Sequence, residues 1–421
     1  MHDNRKATGP MSFATYMSLC LAHPTEGYYM NPTNPVFGSR GDFTTSPEIS
    51  QVFGELIAIW LSSQWISVTP SRPIRLIELG PGRGTLMADM LRTLSQFPAL
   101  KSALREVHLV ETSPTMRAVQ KEKLGSGPWS IVWHDSIEEI AKDSDAYTML
   151  VANEFFDALP VHVIEKSAKD WREVLISASP DPTAPTIIKS ADLSSTPQLA
   201  LSKPTPSLAS QPRLRRVLSS SPSPISQLLS ASSPRFAKIP VGSRIEVSPV
   251  AYKIARKIGE LLSVQGEPEP GAGGCALVVD YGGDRAYGNS FRAFKDHKIV
   301  DVFHRPGECD LTVNVDFAYL KEAVAVSAHG PILQASFLDR MGMRHRVDAL
   351  KRSAHSEERK KDIEKAAQRL TDLTGMGKQY QVMGITSDGI AKGGLDDGDG
   401  AEREKHEVWP FMDPRAPPSS S

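Results

Sequence analysis

Cysteine is scarce in this chain: Cys20, Cys275 and Cys309 are the only three in 421 residues, far apart and never in CxxC spacing. That excludes a disulfide framework and a cysteine-ligated zinc site, and it fits a reducing compartment. The eleven histidines form no HExxH or other close ligand pair, so no metal site is expected. "DDGDG" near the end lacks the later glutamate and helix of a calcium loop. Charge of one sign is also missing. The formal net charge is −1, with no basic stripe, so no nucleic-acid partner is expected. Long apolar runs are absent: "VFGELIAIWLSSQWI" from Val52 is broken by Glu55 and Gln64, so no membrane span is expected. The start, "MHDNRKATGP", has no apolar core of a secretory signal and is too short for a transit peptide. The chain therefore reads either as cytosolic or as lacking a leader.

What remains has 40% hydrophobic and 23% charged residues and suits one enlarged α/β domain with insertions. Short apolar runs read as strands buried on both faces: "IRLIEL" (74–79), "VHLVE" (107–111), "SIVW" (130–133), "YTMLVAN" (147–153) and "ALVVD" (276–280). Helical patterns lie between them, three opened by Ser-Pro pairs at Ser46, Ser113 and Ser248, where serine caps and proline suits the first turn. Strand alternating with helix predicts a doubly wound parallel sheet. Residues 201–240, with 11 Ser, 7 Pro and no acid, are expected to be a mobile insert, and the tail after Ile385 to be disordered. The helix expected over 356–373 carries a solvated charged face and no chemistry.

"LIELGPGRGTL" (76–86) joins a strand to a helix through Gly80, Pro81, Gly82, Arg83 and Gly84. A turn without side chains lets a ligand lie on the backbone. The spacing is GxGxG, not the GxGxxG of dinucleotide folds, and Glu78 at the mouth repels a pyrophosphate but welcomes an ammonium group. Glu111 ends the next strand, where a carboxylate accepts ribose hydroxyls. Asp135 follows the third, within reach of an adenine amino group. S-adenosylmethionine satisfies all of these. The plainer alternative keeps Glu78 and Glu111 as polar strand ends around a tight turn.

The sequence resembles the MidA family of class I methyltransferases. The likeness rests on "GYYM" with "GDFTTSPEISQVFGELIAIWL", "IELGPGRGTL" with "VHLVETSP", "ANEFFDALPVHV", and "ALVVDYGG" with "FRAFKDHKIVDV" and "DLTVNVDFAYL", and on the late "MGKQYQVMGI", together spanning most of 8–385. The resemblance implies a Rossmann-like sheet with an N-terminal helical cap and an inserted β-rich lobe. We expect a cap or lid over 1–70, a donor-binding core over 71–165, the lobe with its Ser/Pro segment over 166–247, completion of the core over 248–385, and a tail over 386–421. It also implies S-adenosylmethionine as methyl donor, with Gly80, Gly82, Gly84, Glu111 and Asp135 as family cofactor residues. Mitochondrial relatives imply a matrix location and, as acceptor, an arginine of a respiratory complex I core subunit.

If the acceptor is arginine, a guanidinium cation must approach a sulfonium cation, and carboxylates can offset that charge and take a proton. Glu154 and Asp157 in "NEFFDALP" follow the fourth strand and share a face if the segment turns helically. Glu154 is expected to contact the guanidinium and Asp157 to assist; the alternative is two acids favouring a helix N-terminus. "GDFTT" is expected to be a lid, with Asp42, Thr45 and Ser46 bordering the donor pocket and Phe43 closing over it. Asp280 is equally well a cleft wall or a structural strand end, and His297 a surface or satisfied core histidine, a proton acceptor or a peptide contact. A non-catalytic assembly chaperone that binds the donor, and a methyltransferase with another acceptor, remain as alternative readings. A dinucleotide oxidoreductase is disfavoured by Glu78 and the glycine spacing.

Overall fold

A computed structural model of the chain describes residues 9–31, 44–125, 127–179, 213–264, 272–387 and 408–412. Two compact units emerge: Met1–Tyr16 with His162–Arg244, and Met17–Val161 with Ile245–Ser421.

The larger unit is built on a sheet of seven long strands: β1 (Ile74–Leu79), β2 (Leu104–Val110), β3 (Ser130–His134), β4 (Tyr147–Asn153), β5 (Gly274–Gly283), β6 (Ser327–Leu333) and β7 (Tyr380–Thr386). Their order is β6-β7-β5-β4-β1-β2-β3. The strands from β5 to β3 run parallel. β7 enters antiparallel beside β5, and β6 pairs antiparallel with β7. This antiparallel edge was not among the expected strands. The strand order reverses between β1 and β4, and a crevice outside the carboxyl ends of such a pair is where open α/β sheets bind ligands.

The continuous apolar runs arise because alternate residues serve opposite faces. Leu76, Leu109, Met149, Val151 and Leu277 join one core with helices α1 (Gln51–Val68) and α2 (Thr85–Leu94). Ile77, Leu79, Leu150, Ala152 and Val278 join the other with α4 (Pro249–Leu262) and α5 (Phe317–Val324); α3 is Pro114–Leu124. Among the described residues no helix is long and apolar enough to cross a membrane. α1 is buried around most of its circumference, Glu55 included. Burial alone would raise the Glu55 pKa, but hydrogen bonds from Arg346 (2.6 and 3.0 Å) and Arg92 (2.9 Å) carry it below the ordinary value.

Several expectations need correction. The first Ser-Pro pair does not cap α1. Ser46–Ile49 is a separate short helix, the backbone is extended at Ser50, and Ser50 caps α1 through the Val52 N–H. Ser113 and Ser248 cap α3 and α4 as expected. α1 packs into the sheet's own core. Residues 213–240 carry regular structure: Arg213–Leu218 pairs antiparallel with Trp171–Ser179, and Pro224–Ser230 is a helix with a Ser223/Ser226 capping box. Residues 201–212 of the expected mobile insert lie outside the described residues, as does most of the tail. Residues 408–412 are docked. Trp60 donates to the Trp409 carbonyl at 2.9 Å, and Phe411 meets Trp60 edge-on.

The smaller unit is β-rich. Trp171–Ser179 is its central strand, pairing with Met11–Ser12, His162–Lys166 and Arg213–Leu218. Its buried Glu173 accepts from Ser223 at 3.1 Å and pairs with His162 at 2.8 Å.

Candidate active site

A cleft of about 580 Å³ opens at the carboxyl ends of β1 and β4, wholly within the larger unit. One end is made from backbone. After β1 the chain turns through Gly80, Gly82 and Gly84 at φ of +63°, +51° and +74°, conformations that side chains disfavour. The Gly84 N–H donates to the Pro81 carbonyl at 2.7 Å, closing the turn into α2. A Cβ on Gly80 would stand 2.9 Å from the Phe155 ring, so the loop also fits tightly against the segment after β4.

Glu78 faces this turn, 3% exposed, with Oε2 buried and unpartnered. Burial, then the charge of Glu111, pushes its pKa up to about 8. A buried carboxyl with one oxygen unpartnered suits a cationic ligand group, which favours its ionised form. Glu111 accepts from the Ser113 N–H (2.8 Å) and from Gln120 (3.1 Å), leaving lone pairs on both oxygens for hydroxyls. Burial raises its pKa against those bonds. Asp135 lies at the exposed rim and pairs with Arg117 at 2.5 Å. Together, a side-chain-free cradle, a buried acid with one unpartnered oxygen and a hydroxyl-accepting acid fit S-adenosylmethionine.

The other end is made from side chains. Glu154 sits just past β4 at φ +51°, a left-handed conformation costly for a residue with a Cβ. Its carboxylate accepts from the Ser46 N–H (3.2 Å) and from Asn153 Nδ2 (3.3 Å), and the Tyr380 hydroxyl reaches it as well. Burial, then the charge of Asp157, pushes its pKa up to about 7. Asp157 is buried and accepts from Thr312 at 2.7 Å, and burial raises its pKa too. Tyr29 and Asp310, bonded at 2.7 Å, complete this wall.

The segment after β4 forms no helix, which removes both the shared helical face and the helix-dipole alternative for Glu154 and Asp157. Asp280 shapes it instead. Fully buried at the end of β5, its Oδ2 accepts from the N–H groups of Phe155, Phe156 and Asp157 at 3.2, 2.9 and 3.2 Å. Oδ1 takes the Tyr281 N–H at 2.9 Å. Burial and the neighbouring Asp157 and Glu154 push its pKa up; the amide donors act the other way. Asp280 is therefore a structural anchor.

A family model for a putative S-adenosyl-L-methionine-dependent methyltransferase matches residues 56–332. The chain belongs to that family. It is 36% identical to a protein of Danio rerio named Protein arginine methyltransferase NDUFAF7, mitochondrial, over 82% of this chain and 76% of that one. It is 32% identical to the Homo sapiens protein of the same name, over 92% and 83%. In structure it resembles a likely methyl transferase from Burkholderia thailandensis bound to S-adenosyl-homocysteine, with TM-score 0.66, 24% identity, and coverage of 90% and 89%. The MidA resemblance and the class I methyltransferase fold are thereby borne out, and S-adenosylmethionine is the family's methyl donor.

For this methyltransferase, the cleft brings together Glu78, Gly80, Pro81, Gly82, Glu111, Asp135, Thr45, Glu154 and Asp157. Gly84 caps α2 behind them. Ser46 is fully buried; its hydroxyl bonds Gln334 and its N–H serves Glu154. Asp42 and Phe43 lie outside the described residues. His297 is exposed in the turn between Arg292–Lys295 and Lys298–Val300. Sequence reasoning missed Gln120, which is fully buried, bonds the Gly82 carbonyl at 2.7 Å and Glu111 at 3.1 Å, and is itself oriented by Trp133 at 2.9 Å. Its signal was a polar residue in α3, facing inward. Tyr29, Asp310 and Tyr380 were also missed as site residues. They lay in quoted motifs, but nothing local tied them to Glu154.

Proposed function

We propose that this methyltransferase is a protein arginine N-methyltransferase of the mitochondrial matrix that supports assembly of respiratory complex I by methylating an arginine of a core subunit. Glu154 is the observation that carries the reading: a carboxyl titrating at about 7, at the acidic end of the donor cleft. The printed names of the relatives, arginine methyltransferases of mitochondria, support the same acceptor and location.

On this reading Gly80, Pro81 and Gly82 cradle the donor, Gly84 closes the turn behind them, and Glu78 pairs with its ammonium group. Glu111 takes the ribose hydroxyls, and Asp135 the adenine amino group. Thr45 borders the pocket, and Ser46 beside it serves Glu154 through its N–H. When bound, the donor supplies an electrophilic methyl group on a sulfonium. The protein's task is alignment at near-contact distance, about 3–3.5 Å, which lowers the barrier through pre-arranged geometry. A guanidinium stays protonated at ordinary pH and is a poor nucleophile. Glu154 receives its proton as the nitrogen reacts, and Asp157, held by Thr312, offsets the remaining charge.

Purified protein, labelled donor and isolated complex I core subunits provide the test. Label should appear on arginine, and Glu154→Gln should lower kcat by about 10²–10⁴-fold while affinity for S-adenosylhomocysteine stays within threefold. Transfer to lysine or to a small molecule, or full turnover by Glu154→Gln, would sink the proposal.

A further inference from the structure

Asn153, the last residue of β4, was not among the expected site residues. It lines the cleft between the glycine turn and Glu154, and is 9% exposed. Its two amide atoms differ in status. Nδ2 donates to Glu154 Oε1 at 3.3 Å, whereas Oδ1 is buried with no hydrogen-bond partner. The neighbouring charge settles which atom is which. With Glu154 ionised, the state that receives the acceptor's proton, turning the amide over would set an oxygen against a carboxylate oxygen, two acceptors with no proton between them. Oδ1 is therefore the atom left over. A buried acceptor without a partner costs about 1–3 kcal/mol, and a ligand N–H at this place removes that cost.

Two cations enter the cleft on the proposed function. The donor's ammonium group has Glu78, whose own Oε2 is unpartnered. The acceptor is brought to Glu154, which Asn153 touches. We propose that Asn153 is a catalytic residue that contacts the acceptor: Oδ1 accepts an N–H of the guanidinium nitrogen that takes the methyl group, while Nδ2 holds Glu154 ready for the proton. The inference rests on the arginine reading of the site. In the step, the nitrogen lone pair forms the N–C bond and the C–S bond breaks, leaving its electron pair on sulfur. The nitrogen's proton passes to Glu154.

The geometry separates two duties in one side chain, and two variants take them apart. Asn153→Ala removes both; Asn153→Asp keeps an acceptor oxygen but replaces the donor to Glu154 with a second charge. The protein loaded with S-adenosylhomocysteine is titrated with N-acetylarginine methylamide and, in parallel, with the lysine analogue. Wild type should prefer the arginine compound. Asn153→Ala should weaken it about tenfold, with S-adenosylhomocysteine affinity within twofold, which also reports that the variant is folded. Asn153→Asp should keep arginine-analogue affinity within threefold and move the acid limb of the rate profile to higher pH. Equal affinity for the arginine and lysine compounds in wild type would remove the arginine reading itself. An arginine preference unchanged in Asn153→Ala would overturn the role of Asn153 alone. So would a tenfold loss of S-adenosylhomocysteine in Asn153→Asp, which would assign the side chain to the donor.

Discussion

The two ends of the cleft are built in different ways. The glycine end is contiguous: β1, the turn and α2 occupy 74–94, and the ligand-facing surface is main chain at positive φ. The acidic end is assembled from residues far apart. Ser46 reaches Glu154 across 108 positions, Asp280 holds the Phe155 N–H across 125, and Thr312 bonds Asp157 across 155. A cradle of backbone depends on local conformation and is broken by any side chain placed on it. A cluster of carboxylates depends on the strand order that brings β4 beside β5, and tolerates local change as long as its anchors hold.

The largest expected effect is on the glycine end. Gly82→Val places a β-branched residue at φ +51° and disturbs the carbonyl that Gln120 holds. Strain of about 1–3 kcal/mol plus the blocked surface should weaken S-adenosylhomocysteine about 100-fold by calorimetry, with the folded state intact. Unchanged affinity would mean that the ligand does not lie on this turn.

Asp280→Ala should affect the other end. Four backbone N–H groups lose their acceptor, which should lower unfolding free energy by about 3 kcal/mol in denaturant titration. Turnover should fall more than tenfold while donor affinity falls less than fivefold. If both fall together, the two ends are not separable, and the comparison fails.

The smallest effect is a proton count. Glu78 titrates at about 8 and Glu154 at about 7, both raised, so between the ordinary carboxyl range and pH 8 the folded protein holds more protons than the unfolded one. Stability of the free protein should then decline as pH rises through that window. Ligand ammonium favours ionised Glu78, so binding S-adenosylhomocysteine at pH 7 should release close to one proton, measured by calorimetry in two buffers of different ionisation heat. Glu78→Gln should abolish most of that release; the same release from the variant would assign the proton to another group.

Legibility followed the same divide. The glycine turn, Glu78, Glu111 and the strand YTMLVAN could be read because each is a local pattern, and the observed β4 spans those same residues. Asp280 could not be assigned from sequence, since its partners are backbone N–H groups 123 to 125 positions away, and a strand-end acid looks alike in either role. The Ser46-Pro47 start was misread because a capping pattern was present at both Ser46 and Ser50. The extended break at Ser50 decided between them. The Ser/Pro composition of 213–240 suggested disorder, yet that stretch gains order by pairing with a strand more than thirty positions earlier.

By itself the sequence determined the parallel α/β sheet, the side-chain-free turn with an acid at its mouth, and a pair of carboxyls just past β4. Those follow from hydrophobic runs, glycine and short spacings, which act within one or two elements. Tertiary structure alone decided that Glu154 stands in a left-handed conformation against the Ser46 N–H, that Asp280 anchors its loop, that Tyr29 and Asp310 line the same end of the cleft, and that buried Tyr380 reaches Glu154. Each of those depends on contacts across more than a hundred positions, and the energy of a buried carboxyl is set by what the fold places beside it.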